Sequence, residues 1–250
     1  MKRILALVLA FVLALSFVGC AKTGDGKDPK SEGVMTYAEY DAAELEAAVV
    51  IEAFVQAKQA WYEPAATTSI YAQDADGAYF MYRIACSAED YAKLTPGTKI
   101  KVTGHKAAWA GEVEIVDATF EIIEGSTYVA EALDVTAQLA DANIIAHQNK
   151  LVAFKGMTVE ATKDADGNDV AFLYNYDGSG EEGSDLYFNV SVNGATYNFT
   201  VESDLCGVDS DVYKAVKNLK IGDKIDLEGF LYWYEGVNTH ITAVTKVVAE

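Results

Sequence analysis

Two stretches of this 250-residue chain, "LTPGTKIKVTG" (Leu94–Gly104) and "LKIGDKIDLEG" (Leu219–Gly229), share one register 125 residues apart. Each reads Leu, two residues, Gly, one residue, Lys-Ile, one residue, an aliphatic, one residue, Gly. The Ile-x-Val and Ile-x-Leu alternation is the half-buried face of a strand. Forward of the phrase, "GHKAAWAGEVEIVDA" (Gly104–Ala118) lies over "GFLYWYEGVNTHITA" (Gly229–Ala243) without a gap, which sets Trp109 on Tyr234 and Gly111 on Gly236. Each copy here predicts a strand, a short turn and a strand. Backward, "SAEDYAKL" (Ser87–Leu94) and "DSDVYKAVKNL" (Asp209–Leu219) begin with Ser or Asp and early acids, as a helix N-cap requires. Hairpins precede both helices, turning at Asp74–Gly77 and at Asn193-Gly194. Before each hairpin stands a long strand, Ala47–Tyr62 or Asn149–Thr162.

Five strands with a helix between the third and fourth is the order of the OB-fold, a small Greek-key barrel. The expected fold is therefore mainly β, with two tandem OB-fold-like five-stranded barrels, each carrying a short helix between strands 3 and 4. The phrase itself is expected to be scaffold: its Leu closes the helix onto the core, its first Gly stops the helix and its last Gly turns the strand. The run from "MTYAEYDAAELEAAVVIEAFVQAKQAWYE" through "YAQDADGAYFMYRIACSAEDYAKLTPGTKIKVTGHKAAWAGEVEIVDATFEI" resembles the repeated unit of uncharacterised tandem OB-fold lipoproteins of Gram-positive anaerobic bacteria. That resemblance covers Met35 to about Glu124 closely, and it implies no activity.

The N-terminus carries an address. Lys2 and Arg3 precede an uncharged apolar run from Ile4 to Val18, which has the form of a secretory signal and is short for a membrane span. Val18-Gly19-Cys20 resembles a bacterial lipoprotein box, with Phe17 where such boxes usually have Leu, and this implies lipidation, of the palmitate type, at Cys20. "AKTGDGKDPKSEG" (Ala21–Gly33) lacks the apolar surface to order itself and reads as a flexible tether. The expected division is a signal peptide over 1–19, lipidated Cys20 and tether over 20–33, and barrels over 34–124 and 125–250. The expected location is extracytoplasmic, at the cell surface, anchored to the membrane by the N-terminal lipid.

The formal charge is −19, and loss of the two signal cations takes it to −21. Since phosphate binding rests on Lys and Arg, nucleic acid is not the expected partner. A glycan or an envelope protein is. Of three cysteines, Cys86 and Cys206 remain beside Cys20, either as a disulfide or as free thiols. The three histidines, His105, His147 and His240, have no ligand-spaced neighbour, so no zinc site of the usual kind is expected.

Candidate ligand residues are the aromatics near the loops joining strands 1–2 and 4–5, which flank the usual OB ligand face. In copy one these are Trp61, Tyr62 and Trp109; in copy two, Tyr174, Tyr176, Trp233 and Tyr234, together with Tyr232. Two roles are open to these rings: the first three sharing a platform suited to stacking on sugars or bases, with the second set doing likewise, or all of them closing the barrel ends or forming the contact between the two copies. Copy two alone inserts Lys163–Asp185 between its first two strands, and an extra hairpin is expected there. Within the insert, "DADGND" places Asp164, Asp166 and Asp169 loosely like a calcium loop. Position twelve, however, is Asn175 rather than the bidentate Glu, so a weak calcium site is not favoured over a turn, and no cofactor is expected. No nucleophile-elbow, zinc-protease or phosphate-loop pattern occurs, and no carboxylate pair is set at glycosidase spacing, so an enzyme is not expected. The leading function is a non-catalytic cell-surface binding module; an assembly component of an envelope complex and a nucleic-acid binder are the alternatives.

Overall fold

The computed structural model describes residues 25–27 and 29–247. The signal and Cys20 lie outside the described residues. Strands β1 (Ala48–Lys58), β2 (Thr67–Gln73), β3 (Ala78–Ala85), β4 (Lys99–Trp109) and β5 (Glu112–Ile123) close a barrel in the order β1-β2-β3-β5-β4. Strands β6 (Leu151–Glu160), β7 (Leu186–Val192), β8 (Ala195–Val201), β9 (Lys224–Phe230) and β10 (His240–Lys246) repeat it. In both copies the fifth strand pairs antiparallel with the fourth and parallel with the third, as an OB barrel requires. The parallel seam of the second barrel is reduced to Thr200 opposite His240.

Period-two alternation fills each barrel. Val49, Ile51, Ala53 and Val55 of β1 point inward, as do Val152, Phe154, Met157 and Val159 of β6, where a bulge shifts the register. A first helix, α1 (Tyr37–Ala42), precedes β1, and helices α2 (Ala88–Lys93) and α3 (Asp211–Lys217) lie between third and fourth strands. Ser87 and Ser210 cap them, accepting from the amides of Asp90 and Tyr213, so the second cap is Ser210 rather than Asp209.

The repeated phrase is scaffold, though its glycines act differently from the expectation. Leu94 and Leu219 are buried under the helices. Neither helix is stopped by glycine, because α2 and α3 end one or more residues earlier. Gly97 and Gly222 instead sit in the following turns at φ +90° and +89°, where a side chain is disfavoured. Their amides donate to the Val55 and Val159 carbonyls, both at 2.8 Å, and pin each turn to its first strand. Gly104 does not end its strand either; β4 runs on to Trp109. Both last glycines occupy bulges where the partner strand crosses closely. A Cβ on Gly229 would stand 2.3 Å from the His240 carbonyl oxygen, and one on Gly104 would stand 2.9 Å from the Val116 oxygen.

The tether also differs from expectation in its second half. The Lys30 ammonium bonds to the Glu52 carbonyl at 2.6 Å and pairs with buried Asp74, while Ala75 donates to the Gly26 carbonyl at 3.2 Å. These contacts offset ordering costs that composition alone cannot reveal. The insert does form a small hairpin, Thr162–Lys163 against Asp169–Val170, and its Leu173–Tyr174 adds to β7. Cys86 and Cys206 are both free thiols.

Gly229→Ala is expected to lower stability by about 2–3 kcal/mol, because backbone rather than a movable side chain meets the new methyl. A shift of the urea midpoint at unchanged slope checks it.

Candidate functional site

The two equivalent β4–β5 turns, one from each copy, meet. In barrel one Ala110 and Gly111 turn at φ +51° and +93°; in barrel two Glu235 and Gly236 turn at φ +55° and +159°. The Glu235 amide donates to the Ala110 carbonyl at 2.7 Å. Gly111 lies under the Trp233 indole so closely that a Cβ there would be 2.6 Å from the ring. Trp109 and Tyr234, the residues the internal repeat superposes, stand with ring centroids 5.2 Å apart.

Behind the turns the barrels share a buried aromatic cluster of Tyr71, Phe80, Phe230 and Tyr232. Tyr71 stacks on Phe230 at 4.3 Å with 6° between planes, and its hydroxyl is hydrogen-bonded to His240 Nδ1 at 2.9 Å. The Asn149 amide donates to the Val113 carbonyl at 3.1 Å, and the Leu151 amide donates to Gln73 Oε1 at 2.9 Å. These contacts seat barrel two on the β2–β3 and β5 side of barrel one.

A cleft of about 460 Å³ opens beside this junction. Its walls are the rings of Trp109, Tyr176, Tyr187, Tyr232 and Tyr234, and its polar groups come from Asp185, Asn198, Thr200, Glu202, Asn238 and His240. Three rings stand well into solvent: Tyr176 is 76% exposed, Trp109 56% and Tyr234 50%. Among the described residues, no Lys or Arg lines it. Burial works to raise the Glu202 carboxyl, but His240 Nδ1 at 3.3 Å and the Gln59 amide more than offset that and hold it below its ordinary value. Asp185 Oδ1 accepts from the Ser203 amide and hydroxyl, both at 2.7 Å.

Glu202 also borders a smaller groove of about 240 Å³ containing Tyr62, Tyr82, Arg83 and Asp204. The Arg83 guanidinium lies over both tyrosines, 5.6 Å from the Tyr62 centroid and 5.2 Å from that of Tyr82. Its backbone is left-handed at φ +49°, and the Arg83 amide donates to Ser69 Oγ at 3.2 Å. Burial, then the charges of Glu202 and Asp185, push the Asp204 carboxyl up, against the pull of Arg83.

The structure brings Trp109, Tyr176 and Tyr234 into one cleft. It takes the other expected residues elsewhere. Trp61 donates from Nε1 to the Cys86 carbonyl at 2.9 Å, and Tyr62 belongs to the neighbouring groove, so copy one forms no platform of three rings. Trp233 packs against Gly111 and barrel two's core, and Tyr174 packs on that core edge-on to Phe172. Asp164 is spent inside its own turn, accepting from Asp166 and Asn168, and Asp169 pairs with Lys163 at 2.8 Å. Among the described residues, no group of three or more His, Cys, Asp or Glu is gathered to hold a metal. Residues that the sequence did not single out are Tyr187, Glu202, His240, Tyr82 and Arg83. Strand pairing within barrel two gathers Tyr187, Glu202 and His240, and docking of the barrels sets Tyr82 and Arg83 of barrel one beside Glu202.

No protein-family model matches the chain, and no curated protein matches it. Among solved structures, it is similar to a murine DNA-binding protein bound with double-stranded DNA, at 12% identity over 80% of this chain and 99% of that one, with a TM-score of 0.35. It is also similar to the Ifi202 HINa domain in complex with a 20-bp double-stranded DNA, at 13% identity over 80% and 98%, TM-score 0.34. A third is a replication protein A heterotrimer bound to single-stranded DNA, at 10% identity over 90% and 72%, TM-score 0.27. At these values the fold rests on the strand pairing described above. Acidity points away from nucleic acid, and that expectation is corrected to this extent: these three solved structures are DNA complexes.

Trp61→Ala is expected to cost about 1–2 kcal/mol by loss of its half-buried hydrogen bond and packing. Trp109→Ala, at an exposed ring, is expected to stay within about 0.5 kcal/mol of the parent. Paired urea titrations check both.

Proposed function

We propose that the chain is a non-catalytic binding module whose ligand lies in the cleft between the barrels, and that the ligand is a single-stranded nucleic acid gripped by its bases. One observation carries this reading. An exposed pair of rings, Trp109 and Tyr234, stands over a floor of hydrogen-bond acceptors, and the cleft continues through Glu202 into a groove with Tyr62, Tyr82 and Arg83. Stacking on aromatic rings suits any base. The carboxylates of Glu202 and Asp185 accept from the exocyclic amines of cytosine, adenine or guanine, while thymine offers them no amine. Arg83 is the cation placed to meet a phosphate along this track.

Affinity on this reading comes from stacking more than from phosphate contacts, so its salt dependence is shallow. Tryptophan-fluorescence titration with short oligonucleotides tests it. Oligo(dC) is expected to bind more tightly than oligo(dT), with a log–log salt slope of about one or less. Trp109→Ala with Tyr234→Ala is expected to weaken binding by about 2–4 kcal/mol. Absence of binding at low salt overturns the reading.

A second reading is a glycan, favoured by Asn198, Asn238 and Asp185 beside exposed rings, a set that also suits sugar hydroxyls. An oligosaccharide panel in the same titration separates the two.

We also propose that the chain is exported and lipid-anchored at Cys20, a reading that rests on the sequence Val18-Gly19-Cys20. Cys20→Ser is expected to abolish labelling by radioactive palmitate and release the protein from membranes; unchanged labelling disposes of it.

A further inference from the structure

Glu112 opens β5 directly beside Trp109 and is fully buried where the two barrels meet. Its Oε2 accepts from the Trp233 amide at 2.9 Å and from Gln148 Nε2 at 3.2 Å, both belonging to the second copy. Its Oε1 has no partner. Facing it across the junction, the Asn149 side chain is in hydrogen-bonding contact with the same carboxyl. Asn149 Nδ2 is engaged by the Val113 carbonyl, and Asn149 Oδ1 has no donor. An ionised Glu112 leaves Oε1 buried and without a donor, and a proton there removes the charge that burial penalises and gives the atom a hydrogen to donate.

We propose that Glu112 is a positioning residue for the cleft: held between the barrels as the neutral acid, it seats the Trp233–Tyr234 turn against the Trp109 turn, and its ionisation releases that turn together with the bound ligand. The first half is a statement about the barrel junction; the second rests on the cleft being the ligand site.

The surroundings agree. Burial, with Glu114 on the same strand adding to it, pushes the Glu112 acid up to about 8, against the pull of its bonds to Asn149, Trp233 and Gln148. The other titratable groups that feel its charge are Tyr40, preceding β1, Tyr71 on β2 and Tyr232 after β9, all neutral near pH 8. The cation on the adjacent strand, Lys106, is turned to the carbonyls of Tyr40, Asp41 and Ala43, at 3.1, 2.7 and 2.9 Å. Among the described residues, no cation is shown bonded to the ionised carboxyl.

An acid whose folded pKa is raised loses its stabilising contribution as pH climbs from the unfolded value to the folded one, and no further change follows above it. Thermal unfolding of the wild type and Glu112→Gln from pH 5 to 9 reads this. The Gln side chain keeps an acceptor and adds a donor, as the neutral acid does. It is expected to gain on the wild type steadily up to about pH 8 and then hold a constant margin. A margin independent of pH overturns the proposal. The wild type provides a readout that needs no variant: the Glu112 Cδ resonance is expected to titrate near pH 8, and titration in the ordinary carboxylate range overturns the proposal. In the ligand arm, oligo(dC) affinity of the wild type is expected to fall about tenfold per pH unit above that point and to stay flat in Glu112→Gln. Binding that ignores pH disposes of the release step while leaving the cleft. A pH-dependent margin without oligonucleotide binding at any pH disposes of the nucleic-acid reading while leaving Glu112 as the acid that seats the barrels.

Discussion

The contact between two short turns governs what this protein presents to its surroundings. Each barrel closes on its own hydrogen bonds, and barrel two supplies every wall of the cleft except Trp109. Trp109 completes it because the Ala110–Gly111 turn and the Glu235–Gly236 turn dock on one another, sealed by one backbone hydrogen bond and by Trp233 lying over Gly111. That close approach requires the missing side chain at Gly111, since any Cβ there collides with the indole. Shift the turns apart and Trp109 and Tyr234 no longer share a wall.

Behind the turns the junction is built like a small core. The Tyr71–Phe230 stack and the edge-on Phe80–Tyr232 pair exclude water, and the Tyr71 hydroxyl finds its partner in His240. Excluding water there is also what gives Glu112 its unusual setting. A carboxyl that carries no functional signature in the sequence becomes the atom pair on which the geometry of the cleft depends. The same burial that stabilises the aromatic contact thus makes one acid costly to ionise.

Much of the fold was legible in the sequence because each copy had to satisfy local rules twice. Two hairpin turns, two Ser-capped helices and two Gly-containing turns recur in the same order, and chance does not align that many short-range constraints. The roles of the phrase's glycines were less legible. A glycine after a helix reads as its stop, yet Gly97 and Gly222 serve turns anchored on Val55 and Val159, partners some forty to sixty residues away in sequence. The ordering of the tether has the same origin: Lys30 finds Asp74 and Glu52 only after the barrel is built.

By itself, then, the sequence determined strands, helix caps, turns, the duplicated barrel and the aromatic-rich loops, because these follow from side-chain period and backbone preference over a few residues. Only the tertiary structure decided which aromatics meet. Trp109, Tyr176 and Tyr234 gather in the cleft, whereas Trp61 turns to a carbonyl inside its own barrel and Tyr174 to a core. It also recruited Glu202, Arg83 and Glu112, whose meaning depends on the other barrel. The physical reason is that docking two closed barrels is set by the shape and polarity of their outer surfaces, which no period within either strand encodes.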